Sequence, residues 1–222
     1  MTAWQQLHRH SRERGGTPIP LDLKFPWGTQ RFWGSDREYL WFRSTWAPKV
    51  IGCGFMALEE WCFAEVARDR PVDELIQQIV AGNECIAILG TAGMLALHTE
   101  TVSETTFPIL TAQRLLAADH NRLRHDLSPT ASLIGFTHLT DRPHIEAIKA
   151  ANARSVRKTQ LSWMVPRFVF AAGPICDRAR DAIINFKNDL PYQYEEHRNI
   201  PEAREYLTAQ ALEYSEMADP KN

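Results

Sequence analysis

The chain lacks the apolar run that a membrane helix needs. No stretch reaches 18 apolar residues, whereas a bilayer core takes about 20. No apolar h-region follows the opening "MTAWQQLHRHSRERGG", so no secretory leader is expected. C-x-x-C pairing is missing too. The four cysteines are Cys53, Cys62, Cys85 and Cys176, and three of them sit in apolar periodic stretches. They read as reduced, buried thiols of a cytoplasmic protein, and no zinc site is expected. An excess of one charge is also absent. Twenty-five Lys and Arg stand against 27 Asp and Glu, a net charge of −2, which removes any whole-protein attraction to nucleic acid or an anionic membrane.

The nucleotide motifs are missing as well. A Walker loop needs a glycine followed by lysine, and no glycine in this chain precedes one. "GCG" at 52–54 lacks the third glycine of a dinucleotide fingerprint and leads into a helical pattern. G-x-S-x-G, H-E-x-x-H and Cys/His signatures do not occur. No cofactor is expected.

What is present is helical. The hydrophobic fraction of 44% and charged fraction of 23% suit a globular chain long enough for a sizeable core. Residues 1–47 form an aromatic-rich N-terminal extension. Six of the seven tryptophans (Trp4, Trp27, Trp33, Trp41, Trp46 and Trp61) fall by position 61, and turn signals at Pro26, Gly28 and Gly34 interrupt the segment. From 48 to 222 a helical domain is predicted, with a loop break near 125–142 that carries Pro129 and Gly135. "IGCGFMALEEWCFAEVARDR" places Ile51, Phe55, Leu58, Cys62 and Val66 on one face. "RPVDELIQQIVAG" is a short helix bounded by Pro71 and Gly82. "VSETTFPILTAQRLLAADHNRLRH" reads as a helix with Ser103 as a candidate N-cap and Pro108 at its start or at a kink. "PHIEAIKAANAR", "VRKTQLSWMVPRFVFAA", "CDRARDAIINFKNDL" and "IPEAREYLTAQALEYSEMA" supply four more. No strand pattern alternates with the helices, so a parallel α/β sheet is not expected. The fold class is all-α: an irregular HEAT- or armadillo-like stack of antiparallel helix pairs, although no letter repeat recurs at 33 to 47 residues.

"NECIAILGTAGMLAL" from 83 to 97 raises the sharpest question, because two glycines lie in an apolar run. As a phosphate loop it fails on spacing and on lysine. As a membrane span it fails on length. A buried central helix remains, with Asn83 as N-cap and Glu84 in its first turn. Ala87, Gly90 and Gly93 form a small-residue stripe on which another helix backbone would press. Trp61 and Phe55 are expected to join that packing.

Candidate chemistry is sparse. Glu59 and Glu60 are adjacent and diverge on a helix, so a solvated face is expected. Asp119–His120 and His125–Asp126 diverge in the same way, and "DHNRLRHD" reads as a polar helix end. His98 is placed to meet the last carbonyls of its helix. His138 lies in a loop without a visible partner. Between Arg142 and Arg180 eight Lys or Arg stand against two acids, and from Asp189 onward eight acids stand against three bases. Arg154, Arg157, Lys158 and Arg167 in this basic strip are the candidate contacts for a nucleic acid or a protein partner. The preferred reading pairs the strip with the acidic tail or with a partner's face.

The stretch from "FWGSDREYLWFRSTW" through "MALEEW" to "GTAGMLALHTE", then "PILTAQRL" and "NDLPYQYEEHRNIPEAREYL", resembles a helical region of very large bacterial proteins that carry a P-loop ATPase domain. Some of these look like the STAND-type ATPases of phage defence. The resemblance implies a helical scaffold that contacts a protein partner or the rest of a larger polypeptide, with weak nucleic-acid contact as the alternative and an unrecognised enzyme behind both. The Walker motifs of such proteins are absent here, so no catalytic residue carries over and no ATP turnover is expected.

Overall fold

The computed structural model describes residues 16–43, 47–127 and 142–219. Trp4, Trp46, Pro129, Gly135 and His138 lie outside them. The chain is mostly helical and opens with a small antiparallel hairpin, β1 (Leu21–Phe25) and β2 (Gly28–Phe32). The sequence pattern points to turn signals among aromatics here and not to a hairpin, because each strand is only five residues long. Pro26–Trp27 is indeed the turn, and Gly28 follows it at φ +128°. Alternation then does the rest. Leu23, Phe25 and Phe32 point into the core while Asp22, Lys24 and Arg31 stay outside. The Trp27 ring stacks on Phe25 at 4.6 Å between centroids.

Among the described residues ten α-helices follow. The first, α1 (Asp36–Tyr39), is opened by a capping box in which Ser35 and Glu38 bond reciprocally. It runs into a 3₁₀ turn at Leu40–Arg43. Helix α2 is Lys49–Val66. Helix α3 (Val72–Val80) buries Leu75, Ile76, Ile79 and Val80 as their spacing predicts, and Gly82 follows at φ +77°. Helix α4 is Ala87–Thr99, and everything in it from Ala87 to Leu97 is buried. A helix apolar on every side has nowhere to sit but the centre.

Asn83 does not cap α4. Its side-chain amide donates to the Ile79 carbonyl at the end of α3, and α4 opens instead from a β-bridge between Trp33 and Cys85. The small-residue stripe is present, but no helix backbone presses on it. The Phe42 ring from the 3₁₀ turn lies over Gly90, and Leu161 from a second turn lies over Gly93.

The long helix expected from Ser103 onward is two. Helix α5 (Phe107–Leu110) has Pro108 in its first turn, and α6 (Gln113–Asp126) resumes after Thr111 and Ala112. The Ser103 hydroxyl accepts from the Thr105 and Thr106 N–H groups, so it does act at the start of that segment. Helix α7 is Arg142–Ala153. The single helix expected over "VRKTQLSWMVPRFVFAA" is two 3₁₀ turns, Ser155–Lys158 and Leu161–Met164, followed by α8 (Val165–Phe170). Helix α9 (Pro174–Ile184), turns at Asn185–Asn188 and Glu195–Asn199, and α10 (Pro201–Ala218) complete the order.

Around α4 the core gathers Phe32, Tyr39 and Phe42 from the aromatic segment, Leu75 and Ile76 from α3, Leu115 and Leu116 from α6, and Leu161 and Val165. Trp61 and Phe55 pack against it half-buried. Cys62 and Cys176 are buried, Cys85 is half-buried and none of the four forms a disulfide; Cys53 is exposed, against expectation. No described helix is long and apolar enough to cross a membrane.

Candidate functional site

The residues read from the sequence as surface charges are buried together beside the core. Glu59 of α2 is 1% exposed. Its Oε1 accepts from Arg154 Nη1 at 3.0 Å and its Oε2 from Arg157, itself 1% exposed. Asp119 and Arg122 of α6 are both sealed from solvent and form a two-pronged pair, Nε to Oδ1 and Nη2 to Oδ2, each at 3.0 Å. The Tyr39 hydroxyl donates to Asp119 at 3.1 Å, and the Leu161 N–H donates to it at 2.7 Å. Asp126 takes Arg43 at 2.7 Å and Arg122 at 2.9 Å. Arg122 also donates to the Arg157 and Thr159 carbonyls. Arg43 reaches Asn152 of α7, and Arg154 also holds the exposed Glu60.

Four guanidiniums (Arg43, Arg122, Arg154 and Arg157) meet four carboxylates (Glu59, Glu60, Asp119 and Asp126), so the cluster is neutral as a whole. It joins α2, α6, α7 and both 3₁₀ turns around Leu40 and Val156. Burial sets the titration of its members. It pushes the Glu59 carboxyl up to about 7, against the pull of Arg43 and Arg154. It raises Asp126 and lowers Arg43. Burial works against the Arg122 charge too, but Asp119 and Asp126 together hold that guanidinium above its ordinary value. The Tyr39 phenol is pushed well up, by burial first and by Asp119 second.

Three expectations are therefore corrected. Glu59 is not on a solvated face, although Glu60 is. "DHNRLRHD" is not a polar helix end, because Asp119, Arg122 and Asp126 are interior. Arg157 cannot touch a nucleic acid, and the half-buried Arg154 is committed to Glu59 and Glu60 and lies over the Phe63 ring. Of the remaining candidates, Lys158 is exposed, and Arg167 is exposed and paired with Glu100. Arg178 pairs with Glu104. The basic strip is thus answered by acids of α2 and of the α4–α5 connection rather than by the acidic tail. His98 packs edge-on against Phe63, and His120 bonds Gln160.

A signal for this cluster was available. Glu59 lies four residues after Phe55 and three before Cys62, on the apolar stripe of α2. Asp119 follows Leu115 and Leu116 by the same intervals on α6. A charge on an apolar stripe implies a buried partner.

Each oxygen of Glu59, Asp119 and Asp126 already accepts a hydrogen bond. No group of three His, Cys, Asp or Glu among the described residues could hold a metal ion.

A groove of about 600 Å³ lies on another side of the fold. The Ile19–Lys24 segment forms one wall, and the Asn185 turn with Asp189–Tyr192 forms the other. The start of α6 closes the end, where Gln113 is 5% exposed yet neither atom of its amide has a partner. Sequence reasoning passed over this residue entirely. No protein-family model matches the chain, and searches of the curated proteins and of the solved structures find no match.

Proposed function

We propose that the chain is a helical interaction module without chemistry of its own, acting on a protein partner or within a larger polypeptide. The observation that carries this reading is the buried cluster of mutually paired charges. The strongest acid–base residues of the chain are spent on one another, and they tie five segments into a fixed body. Such a body suits a scaffold, since a surface held rigid loses less entropy on binding. We read the helix stack as an irregular relative of HEAT and armadillo arrays. The resemblance to helical regions of large bacterial STAND-type ATPases of phage defence agrees with that role and with a bacterial, cytoplasmic setting.

The alternative, a nucleic-acid module using residues 142–180, is disfavoured because Arg154, Arg157, Arg167 and Arg178 already face acids. Two titrations test the proposal. Calorimetry with magnesium-ATP is expected to show no stoichiometric binding. Fluorescence anisotropy with a duplex DNA is expected to show at most weak binding that vanishes as salt is raised. Micromolar, magnesium-dependent ATP binding, or submicromolar DNA binding that persists at about 200 mM salt, would overturn the reading.

A further inference from the structure

We propose that the groove beside β1 binds an extended peptide segment of a partner protein, which adds to the hairpin as a third strand. The inference rests on the reading of the chain as an interaction module and names the chemistry of what it contacts.

Among the described residues, strand β1 pairs with β2 on one side only. The two-residue turn makes Phe25 and Gly28 the hydrogen-bonded closing pair. Alternation then makes Leu23–Gln30 and Leu21–Phe32 hydrogen-bonded pairs as well. Asp22 and Lys24 are therefore the residues whose backbone N–H and C=O groups face away from β2, and both line the groove. Just before β1 the chain is paired through its odd-numbered residues, the parity that faces β2 within the hairpin. Ile19 N–H donates to the Gln193 carbonyl at 2.9 Å, Pro18 bridges Tyr194, and Glu195 N–H donates to the Thr17 carbonyl. The two backbones then part, and the groove is the space between them.

Gln113 supplies the second, independent observation. A buried amide with neither its N–H nor its C=O bonded is costly. Its remedy is a ligand that presents an acceptor and a donor side by side, which is what the C=O and N–H of one residue present along the edge of an extended strand. Gln113 is also the first residue of α6, whose N-terminus has no side-chain cap. The walls are apolar at Phe107, Phe186 and Leu190, and the rim carries Asp22 and Asp189 against Lys24 and Arg198. With two charges of each sign, the rim selects for no net charge. The occupant is an uncharged extended segment with alternate apolar side chains, held mainly through its backbone.

The test is an NMR titration of the isotope-labelled full chain with a blocked Thr-Val-Thr-Val-Thr peptide and with its alternately N-methylated counterpart. The unmodified peptide is expected to shift the backbone amides of Asp22 and Lys24 and the side-chain amide of Gln113. The methylated peptide, which cannot pair as a strand, is expected to shift none of them. Gln113→Met keeps the shape and removes the polar group. It should weaken binding about tenfold while leaving the thermal midpoint unchanged or higher, whereas a structural role for the amide would lower it. Lys24→Pro removes an outward N–H without touching the hairpin ladder and should abolish binding.

Equal binding of the two peptides, unchanged affinity of Gln113→Met, or no shift at millimolar peptide would each overturn the proposal. None of these outcomes bears on ATP or DNA, whose binding would instead overturn the broader reading.

Discussion

Gly90 and Gly93 look interchangeable in the sequence, and their surroundings separate them. A Cβ on Gly90 would stand 2.2 Å from the Phe42 ring, which is fully buried and cannot swing away cheaply. A Cβ on Gly93 would meet only the end of Leu161, at 3.2 Å. Gly90→Ala is therefore expected to destabilise the protein by about 1 to 3 kcal/mol, more than the up to about 1 kcal/mol that better helix propensity returns. Gly93→Ala should come out near neutral, because a shift of a few tenths of an ångström offsets it. Gly93→Leu adds three further carbons and should again be a loss. Urea denaturation of the three variants beside the parent measures this. Equal stability of Gly90→Ala and Gly93→Ala would mean that the Phe42 ring does not rest on α4.

Helix α2 and the 3₁₀ turn at Ser155–Lys158, with Arg154 just before it, are held together through Glu59. Removing one partner of a buried pair strands the other, so Glu59→Ala is expected to cost about 3 to 5 kcal/mol, whereas Glu60→Ala, on an exposed carboxylate, should stay within about 1 kcal/mol. A double-mutant cycle with Arg157→Met then checks the coupling, since the double variant should lose less than the sum of the two singles. Additive losses would break the assignment. This element-scale pairing also explains what the sequence could and could not show. Helix α3 is legible because burial there follows apolar letters at a regular spacing, α4 because its apolar run is unbroken, and α10 because Pro201 marks its start. The hairpin was not, since five-residue strands flanking an aromatic turn leave little alternation to count. The split between α5 and α6, and the 3₁₀ turns over 155–164, were not legible either. Those segments are held by contacts distant in sequence: Thr159 and Leu161 present backbone groups to Arg122 and Asp119. Polar letters were taken for surface at Glu59, Asp119 and Arg157, where pairing had made the interior habitable for charge.

At the scale of the whole molecule, acidic and basic residues are nearly matched, and so is the buried cluster. Neutrality does not make stability independent of pH. Burial lifts the folded Glu59 carboxyl to about 7 from an ordinary value of 4.5. Burial raises Asp126 as well. A carboxyl whose folded pKa is raised binds its proton more readily in the native state than in the unfolded one. Keeping it ionised is a cost of folding, present above pH 7 and relieved as pH falls toward 4.5. Other carboxylates act in the opposite sense at lower pH. Asp22, held below its usual range by Arg31, and Glu65, held there by Arg68 and Arg70, lose stability only once the pH falls toward the ordinary carboxylate range and below. Between about pH 7.5 and 5.5 the Glu59 contribution should therefore stand out. The urea midpoint of the parent is expected to rise across that interval, and the rise should be smaller in Glu59→Gln, which carries no ionisable proton there. Parallel pH profiles for the two proteins would place the Glu59 carboxylate in an environment that favours its charge, with Arg154 and Arg157 outweighing the desolvation that now sets its titration.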